Sequence, residues 1–101
     1  AKNELEFGRI KLDIDARRCF VDQSAMDLTA REFAVVELLL LRAGRVVTRS
    51  QILDLLYGWE DNQGTNTVEV LIYRLRKKLD FSGWNLKTIR GMGYLLESSR
   101  G

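Results

Sequence analysis

The sequence of 101 residues has no histidine and only one cysteine, Cys19. Histidine is the commonest general base and metal ligand, and the carboxylates here are scattered over polar segments instead of being clustered. We therefore expect no enzymatic activity, no metal site and no cofactor. A single cysteine cannot build an internal disulfide framework, and its place in the strand-like run CFV predicts a small buried side chain in a reducing cytosol.

Long apolar runs are also missing. The longest, residues 33–41, is interrupted by Glu37 and is far shorter than the ~20 residues that cross a bilayer. We therefore expect no transmembrane helix, no secretory signal and a cytoplasmic protein that does not bind membranes. With 46% apolar and 30% charged residues and no change of composition along its length, the chain is predicted to form a single globular domain, residues 1–101.

The first two-thirds of the chain lacks excess positive charge. Residues 1–65 hold 9 Lys and Arg against 11 Asp and Glu, a net charge of −2, whereas residues 66–101 hold 7 against 3, a net charge of +4. A basic segment beside a neutral or acidic remainder is the distribution expected when one surface meets nucleic acid.

Much of this charge lies in residues 66–79, NTVEVLIYRLRKKL, which have helical periodicity. The apolar residues that recur at the spacing of a core-facing helix stripe are Val68, Ile72, Leu75 and Leu79. The opposite side carries Asn66, Val70, Tyr73, Arg74 and Lys77, with Arg76 and Lys78 on its flanks. Basic helix faces are also common on ordinary solvated helices, so this pattern alone does not separate a solvated surface from a contact with a polyanion.

Residues 4–28 predict an antiparallel sheet that serves as a platform. Apolar and polar residues alternate along residues 5–7 and 10–14 with the period of two that marks half-buried strands. Shorter strands are predicted at 19–21 and 26–28, with turns at 15–18 and 23–25. We expect three or four strands in this sheet.

Two capping boxes predict helices in the middle of the chain. Thr29 with Glu32 opens a helix that is buried on more than one side and runs to Gly44. A short extended bridge at Val46 and Val47 precedes the second box. Thr48 with Gln51 then opens a short helix, which Gly58 ends and whose inward side chains are Ile52, Leu53, Leu55 and Leu56. A short helix followed by a basic helix is the layout of helix-turn-helix DNA-binding proteins, although the connector 59–65 is longer than usual.

Residues 84–97 predict a C-terminal β-hairpin. Its strands, 86–89 and 94–96, are joined around Arg90-Gly91-Met92-Gly93, where two glycines permit the positive φ of a tight turn. Two interpretations are open. The glycines either serve only to form the turn, or the turn also carries Arg90 into a narrow minor groove of DNA, where the potential is most negative.

Four motifs occur in a fixed order: Leu28-Thr29-x-x-Glu32, Gly44-Arg45-Val46-Val47-Thr48-Arg49 leading to Ile52-Leu53, Val68-Glu69-Val70-x-Ile72-x-Arg74-Leu75-Arg76-x-Lys78-Leu79 and Thr88-Ile89-Arg90-Gly91-Met92-Gly93-Tyr94. Together they resemble the winged-helix effector domain of OmpR/PhoB-type response regulators over nearly the whole chain. The resemblance implies an α+β winged helix-turn-helix fold: an N-terminal four-stranded antiparallel sheet (4–28), three helices (29–79) and a hairpin wing (84–97). The third helix is then expected in the major groove and the wing in the adjacent minor groove.

The same resemblance implies sequence-specific binding of double-stranded DNA as the output domain of a two-component transcriptional regulator. It makes Arg74 the ligand of a base edge, a role that suits arginine because its planar fork pairs with O6 and N7 of guanine together. Arg76 becomes a phosphate or base ligand, Thr88 a phosphate ligand and Arg90 the residue in the minor groove, while Val70 suits a thymine methyl. The predicted DNA-binding residues are Asn66, Thr67, Val70, Tyr73, Arg74, Arg76, Lys77, Thr88 and Arg90.

Partners of the whole protein are also implied by the resemblance. They are RNA polymerase, contacted through the loop from Trp59 to Thr65, and a second copy of the full-length protein, paired on tandem half-sites of DNA. Asn66, Leu71 and Tyr73 differ from residues common in the family, which leaves the base sequence of the site open. Two alternatives stay open as well: a winged helix that binds protein and leaves its basic face idle, and a DNA-binding domain tethered by a transmembrane helix after the wing.

Overall fold

The computed structural model describes residues 3–56 and 67–97, and this part of the chain forms two antiparallel sheets and three α-helices. The elements in chain order are β1 (Glu4–Phe7), β2 (Ile10–Asp13), β3 (Arg18–Val21), β4 (Ser24–Met26), α1 (Ala30–Leu41), β5 (Val46–Thr48), α2 (Arg49–Leu56), α3 (Thr67–Leu79), a 3₁₀ turn (Asp80–Ser82), β6 (Asn85–Ile89) and β7 (Gly93–Glu97). The predicted α+β architecture is confirmed. None of the helices in these two ranges is long and apolar enough to cross a membrane.

The N-terminal sheet has the strand order β1-β2-β3-β4, and each strand pairs antiparallel with the next. The turn predicted at 23–25 and the strand predicted at 26–28 are both present but begin earlier, because the turn is formed by Asp22 and Gln23 and β4 spans Ser24–Met26. Asp22 and Gln23 have φ values of 52° and 72°, the paired left-handed conformation of a two-residue hairpin turn. Asp22 suits the first position of such a turn, but Gln23 stands where glycine is usual, so the sequence signal is incomplete. The turn predicted at 15–18 is also one residue too long, since Arg18 belongs to β3.

Both predicted capping boxes are present. The backbone N–H of Glu32 donates to Thr29 Oγ1 at 3.1 Å, and the Thr29 N–H donates to Glu32 Oε1 at 2.9 Å. The corresponding distances for Thr48 and Gln51 at the start of α2 are 3.0 and 2.8 Å. These bonds satisfy backbone donors that the first turn of a helix leaves unpaired, and they therefore fix where α1 and α2 begin.

The helix α1 ends at Leu41, three residues before the predicted stop at Gly44. Gly44 has a φ of 86°, and its N–H donates to the carbonyl oxygen of Leu96 in β7 at 2.9 Å. The chain has therefore already left the helix and joined the second sheet at this glycine.

Side chains from both sheets and all three helices of the described part form one buried cluster. Cys19 is 2% exposed, as the sequence predicted, and burial raises the pKa of its thiol to about 11. The helix α2 buries Ile52 and Leu56 completely, but Leu55 is 36% exposed, so the prediction that it faces inward is wrong. Successive helical residues are rotated by roughly 100°, which places Leu55 outside the narrow stripe that Ile52 and Leu56 share.

The C-terminal sheet has the order β5-β7-β6, so the predicted hairpin gains β5 as a third strand. The sequence predicted the extended bridge at Val46 and Val47 but not its pairing with β7. Gly93 lies at this junction, opposite Thr48, and a Cβ placed on it would lie 2.2 Å from the carbonyl oxygen of Val47. Only glycine allows β5 and β7 to approach so closely here.

Candidate nucleic-acid interface

The helix α3 is attached to the core through the stripe that its periodicity predicted. Val68, Leu75 and Leu79 are completely buried, and Ile72 is 2% exposed. Leu71 is also buried, at 6% exposure. Leu71 therefore packs on the core, apart from the predicted DNA-binding residues of α3. This packing leaves the opposite face of α3 at the protein surface.

The outer face of α3 brings together four of the predicted DNA-binding residues. Val70 is 38% exposed and Tyr73 61% exposed, and Arg74 and Lys77 are exposed as well. They recur at i, i+3, i+4 and i+7, the spacing that aligns side chains along one helix face. The Lys77 ammonium nitrogen lies 5.5 Å from the centroid of the Tyr73 ring, in cation–π range. The face thus presents two cations, an aromatic ring and one small apolar side chain in a row.

Several predictions fall outside the described residues. They concern Asn66, Gly58 and the loop 59–65. Thr67 begins α3, but its side chain also lies outside the described part. The proposed roles of Asn66, Thr67 and the loop stay predictions.

Arg76 and Lys78, on the flanks of the outer face, contact the protein itself. Arg76 Nη2 donates to the carbonyl oxygen of Leu86 at 2.7 Å and to Thr88 Oγ1 at 2.9 Å, both on β6. Lys78 Nζ donates to Glu32 Oε1 at 2.7 Å and to a carbonyl oxygen just before α1 at 2.9 Å. Arg76 therefore joins α3 to the wing, and Lys78 joins α3 to the start of α1.

An ion pair connects α2 to the first turn of α3. Arg49 Nε lies 2.6 Å from Glu69 Oε2, and Arg49 Nη2 lies 3.2 Å from Glu69 Oε1. The hydrogen bond from Arg49 lowers the pKa of the Glu69 carboxyl, and the same bond raises the pKa of the Arg49 guanidinium. The pair places a neutralising cation beside a carboxylate that would otherwise repel a polyanion at this surface.

The wing tip consists of three residues, Arg90, Gly91 and Met92, between β6 and β7. Arg90 is exposed, and Met92 is 58% exposed. Gly91 has a φ of 74°, and the N–H of Met92 donates to the carbonyl oxygen of Ile89 at 2.9 Å, which closes the turn. This confirms the hairpin with an arginine at its tip that the two glycines predicted.

A cleft of about 340 Å³ lies between the wing and the two helices α2 and α3. Its lining comes from four elements and the wing turn: Arg49, Glu69, Thr88, Ile89, Gly91, Met92, Gly93 and Tyr94. Burial raises the pKa of the Tyr94 hydroxyl. The cleft therefore lies beside the first turn of α3, between the ion pair of Arg49 with Glu69 and the wing.

Sequence reasoning missed the contacts that hold this surface together. The pairs Arg49 with Glu69 and Lys78 with Glu32 join residues 20 and 46 positions apart. Such pairs leave no periodic signal, and opposite charges are too common in this chain for their pairing to be read from the sequence. The same holds for the bond from Arg76 to Thr88, since both residues were predicted to point at DNA.

Comparison with known proteins identifies the family and the fold. The family model "Transcriptional regulatory protein, C terminal" matches residues 23–96. Transcriptional regulatory protein QseB of Escherichia coli O157:H7 is 40% identical over 98 residues, which cover 95% of this chain and 43% of QseB. The DNA-binding domain of CpxR from E. coli has a TM-score of 0.82 and 28% identity, and covers 96% of this chain and 98% of that one. The RstA DNA-binding domain of Klebsiella pneumoniae, solved in complex with RstA box, has a TM-score of 0.80 and 28% identity. The match covers 97% of this chain and 99% of that one.

The chain belongs to this family, the OmpR/PhoB-type winged-helix DNA-binding domain of response regulators. It is a DNA-binding effector domain of two-component transcriptional regulators, and the family is not enzymatic, so both of these predictions are confirmed. The chain spans less than half the length of curated relatives that it matches in sequence.

Proposed function

We propose that this domain binds double-stranded DNA sequence-specifically, with the outer face of α3 in the major groove and the wing tip in the adjacent minor groove. The observation that carries the proposal is the row of exposed side chains on α3, Val70, Tyr73, Arg74 and Lys77, opposite a stripe that is completely or almost completely buried. A helix fits the major groove of DNA. The base edges exposed in that groove present a different pattern of donors and acceptors for each base pair.

The residues divide into readers of bases and ligands of the backbone. Arg74 reads a base edge, because its planar fork matches two acceptors of guanine, and Val70 offers a small apolar side chain to a thymine methyl. Lys77 neutralises a phosphate, since an ammonium on a flexible stem is a point charge without a fixed geometry. Thr88 Oγ1 accepts a hydrogen bond from Arg76 and keeps its own O–H to donate to a phosphate oxygen.

Further roles belong to the protein of which this domain is a part. We propose that residues 1–101 form a single domain, that the whole protein pairs on tandem half-sites, and that it acts in the cytoplasm as the output of a phosphorelay. Contact with RNA polymerase through the loop 59–65 belongs to the same proposal. The isolated domain is expected to bind weakly, because the avidity of a paired neighbour is missing.

Selection of bound sequences from a random DNA library, followed by sequencing, tests the proposal. A short motif should emerge, and the affinity for it should fall steeply as the salt concentration rises, because each neutralised phosphate releases counterions. If no motif is enriched and the domain fails to retard DNA even at low salt, the proposal is wrong. That outcome would favour a winged helix that binds protein.

A further inference from the structure

The side chain of Arg76 is a physical connection between the two parts of the surface that are proposed to meet DNA. It starts on α3, is half-buried, and donates through one nitrogen, Nη2, to two acceptors on β6. The acceptors are the carbonyl oxygen of Leu86 and the hydroxyl of Thr88, and Thr88 stands two positions before Arg90. A bond to the backbone of β6 constrains the strand itself and not merely a rotatable side chain.

The root of the wing has its own anchors. Leu86 and Leu96 are buried, at 7% and 1% exposure, and β5 pairs with β7 along the other side of the hairpin. The strand β6 has a neighbour in the sheet on one side only, since β7 is the central strand. Arg76 therefore supplies a contact from α3 to the strand that leads into the wing tip. Charge-assisted hydrogen bonds of this kind are stronger than neutral ones, and the planar guanidinium loses little freedom in making them.

We propose that Arg76 is a positioning residue: it sets the wing relative to α3 so that Arg74 and Arg90 reach the DNA together. This inference rests on the proposed function and changes the role that the resemblance implied, a direct phosphate or base contact by Arg76. The hydroxyl of Thr88 belongs to the same unit, because it accepts from Arg76 while its proton remains available to a phosphate.

The variant Arg76→Met tests the proposal, because methionine keeps an unbranched stem but has no donor. Lys77→Met is the matched control, since it removes one cation from the neighbouring exposed position on α3. Arg76→Met should lower the affinity about tenfold on duplexes with an A·T-rich flank under the wing, because Arg90 is then misplaced and a charge-assisted contact with the DNA is lost. On a G·C-rich flank the loss should be much smaller. Lys77→Met should lower the affinity by the same factor on both flanks.

Combination with Arg90→Ala separates positioning from direct contact. If Arg76 acts through the wing, Arg76→Met should cost little more once Arg90 is gone, whereas Lys77→Met should keep its full cost. A loss from Arg76→Met that is equal on both flanks and undiminished in the Arg90→Ala background would identify a phosphate ligand and overturn the proposal.

A measurement on the free domain tests the positioning role of Arg76 without relying on where the DNA binds. Residual dipolar couplings of the backbone amides report the orientation of the wing relative to α3. Arg76→Met should change the couplings of the wing amides, while the couplings of the α3 amides should still fit a single rigid helix. Thr88→Val should change the wing couplings less, because the bond to Leu86 remains. Lys77→Met should not change them. An unchanged wing orientation in Arg76→Met would refute the proposal. If the single variant Arg90→Ala, with Arg76 intact, loses the same affinity on both flanks, then it is the placement of the wing in the minor groove that is wrong.

Discussion

At the scale of single residues, the basic side chains of α3 are of two kinds. Arg74 and Lys77 are both exposed and lie on the same helix face, whereas Arg76 and Lys78 are engaged with other parts of the protein. A count of basic residues in the sequence treats all four alike. Only the contacts distinguish the cations that are free to meet DNA from those that hold α3 in place.

Replacing Arg74 by alanine should therefore affect sequence preference. Arg74→Ala is expected to cost about 1–3 kcal/mol on the selected site and to relax the preference at one base pair, because a bidentate base contact is lost. Lys77→Ala should weaken binding to all sequences alike and lower the salt slope by about one. Fluorescence anisotropy on selected and scrambled duplexes measures both effects. Equal losses from Arg74→Ala on the two duplexes would show that Arg74 does not read a base.

Arg90 at the wing tip should act through the shape of the DNA. A narrow, A·T-rich minor groove has an enhanced negative potential, so Arg90→Ala should lower the affinity most when the flanking base pairs are A·T. The comparison needs two duplexes that share the core motif and differ only in this flank. An effect of equal size on both would remove the wing from sequence recognition.

The pair of Arg49 and Glu69 predicts a pH dependence of stability. The folded pKa of Glu69 lies below its usual value of 4.5, so the pair stabilises the fold above that value, and the contribution is lost as the pH falls through the folded pKa. Since both side chains are partly exposed, Glu69→Gln should cost only about 0.2–1 kcal/mol at neutral pH. Urea unfolding should show this difference at neutral pH and no difference in acid below the folded pKa. Glu6→Gln, which removes an exposed carboxylate from β1, is the control for net charge, and a difference for Glu69→Gln that persisted in acid would contradict the account.

At the scale of elements, the wing depends on the close approach of β7 to β5. Gly93→Ala would place a Cβ 2.2 Å from a carbonyl oxygen of Val47, and backbone on both sides must move to accommodate it. We expect a loss of roughly 1–3 kcal/mol or more in the free energy of unfolding, as for overpacked sites. Urea or thermal unfolding measures this loss.

Gly91→Ala is the matched control for the close approach. Gly91 also has a positive φ, 74°, but no atom lies within 4 Å of the position of its Cβ. This variant should lose only about 1–2 kcal/mol, the cost of a left-handed backbone for a residue with a side chain. If Gly91→Ala proved as destabilising as Gly93→Ala, the contact with β5 would not be what requires glycine at position 93.

Most elements could be predicted from local patterns. The stripe on α3, both capping boxes and the hairpin strands depend on residues a few positions apart, and each is found where its pattern placed it. The failures have local physical causes. The turn at Asp22 and Gln23 adopts positive φ without glycine, and Leu55 looks apolar enough to be buried although α2 has only a narrow buried stripe. The pairing of β5 with β7 could not be predicted, because it joins segments more than 40 residues apart.

Across the whole molecule, most acidic residues belong to segments other than the helix and the wing that are proposed to meet DNA. The N-terminal sheet, α1 and the segments between them contain Glu4, Glu6, Asp13, Asp15, Asp22, Asp27, Glu32 and Glu37. On α3 the single carboxylate, Glu69, is paired with Arg49. The net charge of +2 is small, yet residues 66–101 alone carry a net charge of +4. Binding is therefore expected to be strongly salt-dependent despite the modest net charge.

Photocrosslinking tests the central claim most directly. A benzophenone amino acid is placed either at position 73, on the outer face of α3, or at position 41, where Leu41 is 57% exposed on α1. Each protein is irradiated in complex with the selected duplex, and the crosslinked nucleotides are mapped. We predict crosslinks to bases of the motif from position 73 and none from position 41. Crosslinks from position 41 together with none from position 73 would show that the DNA lies against another surface.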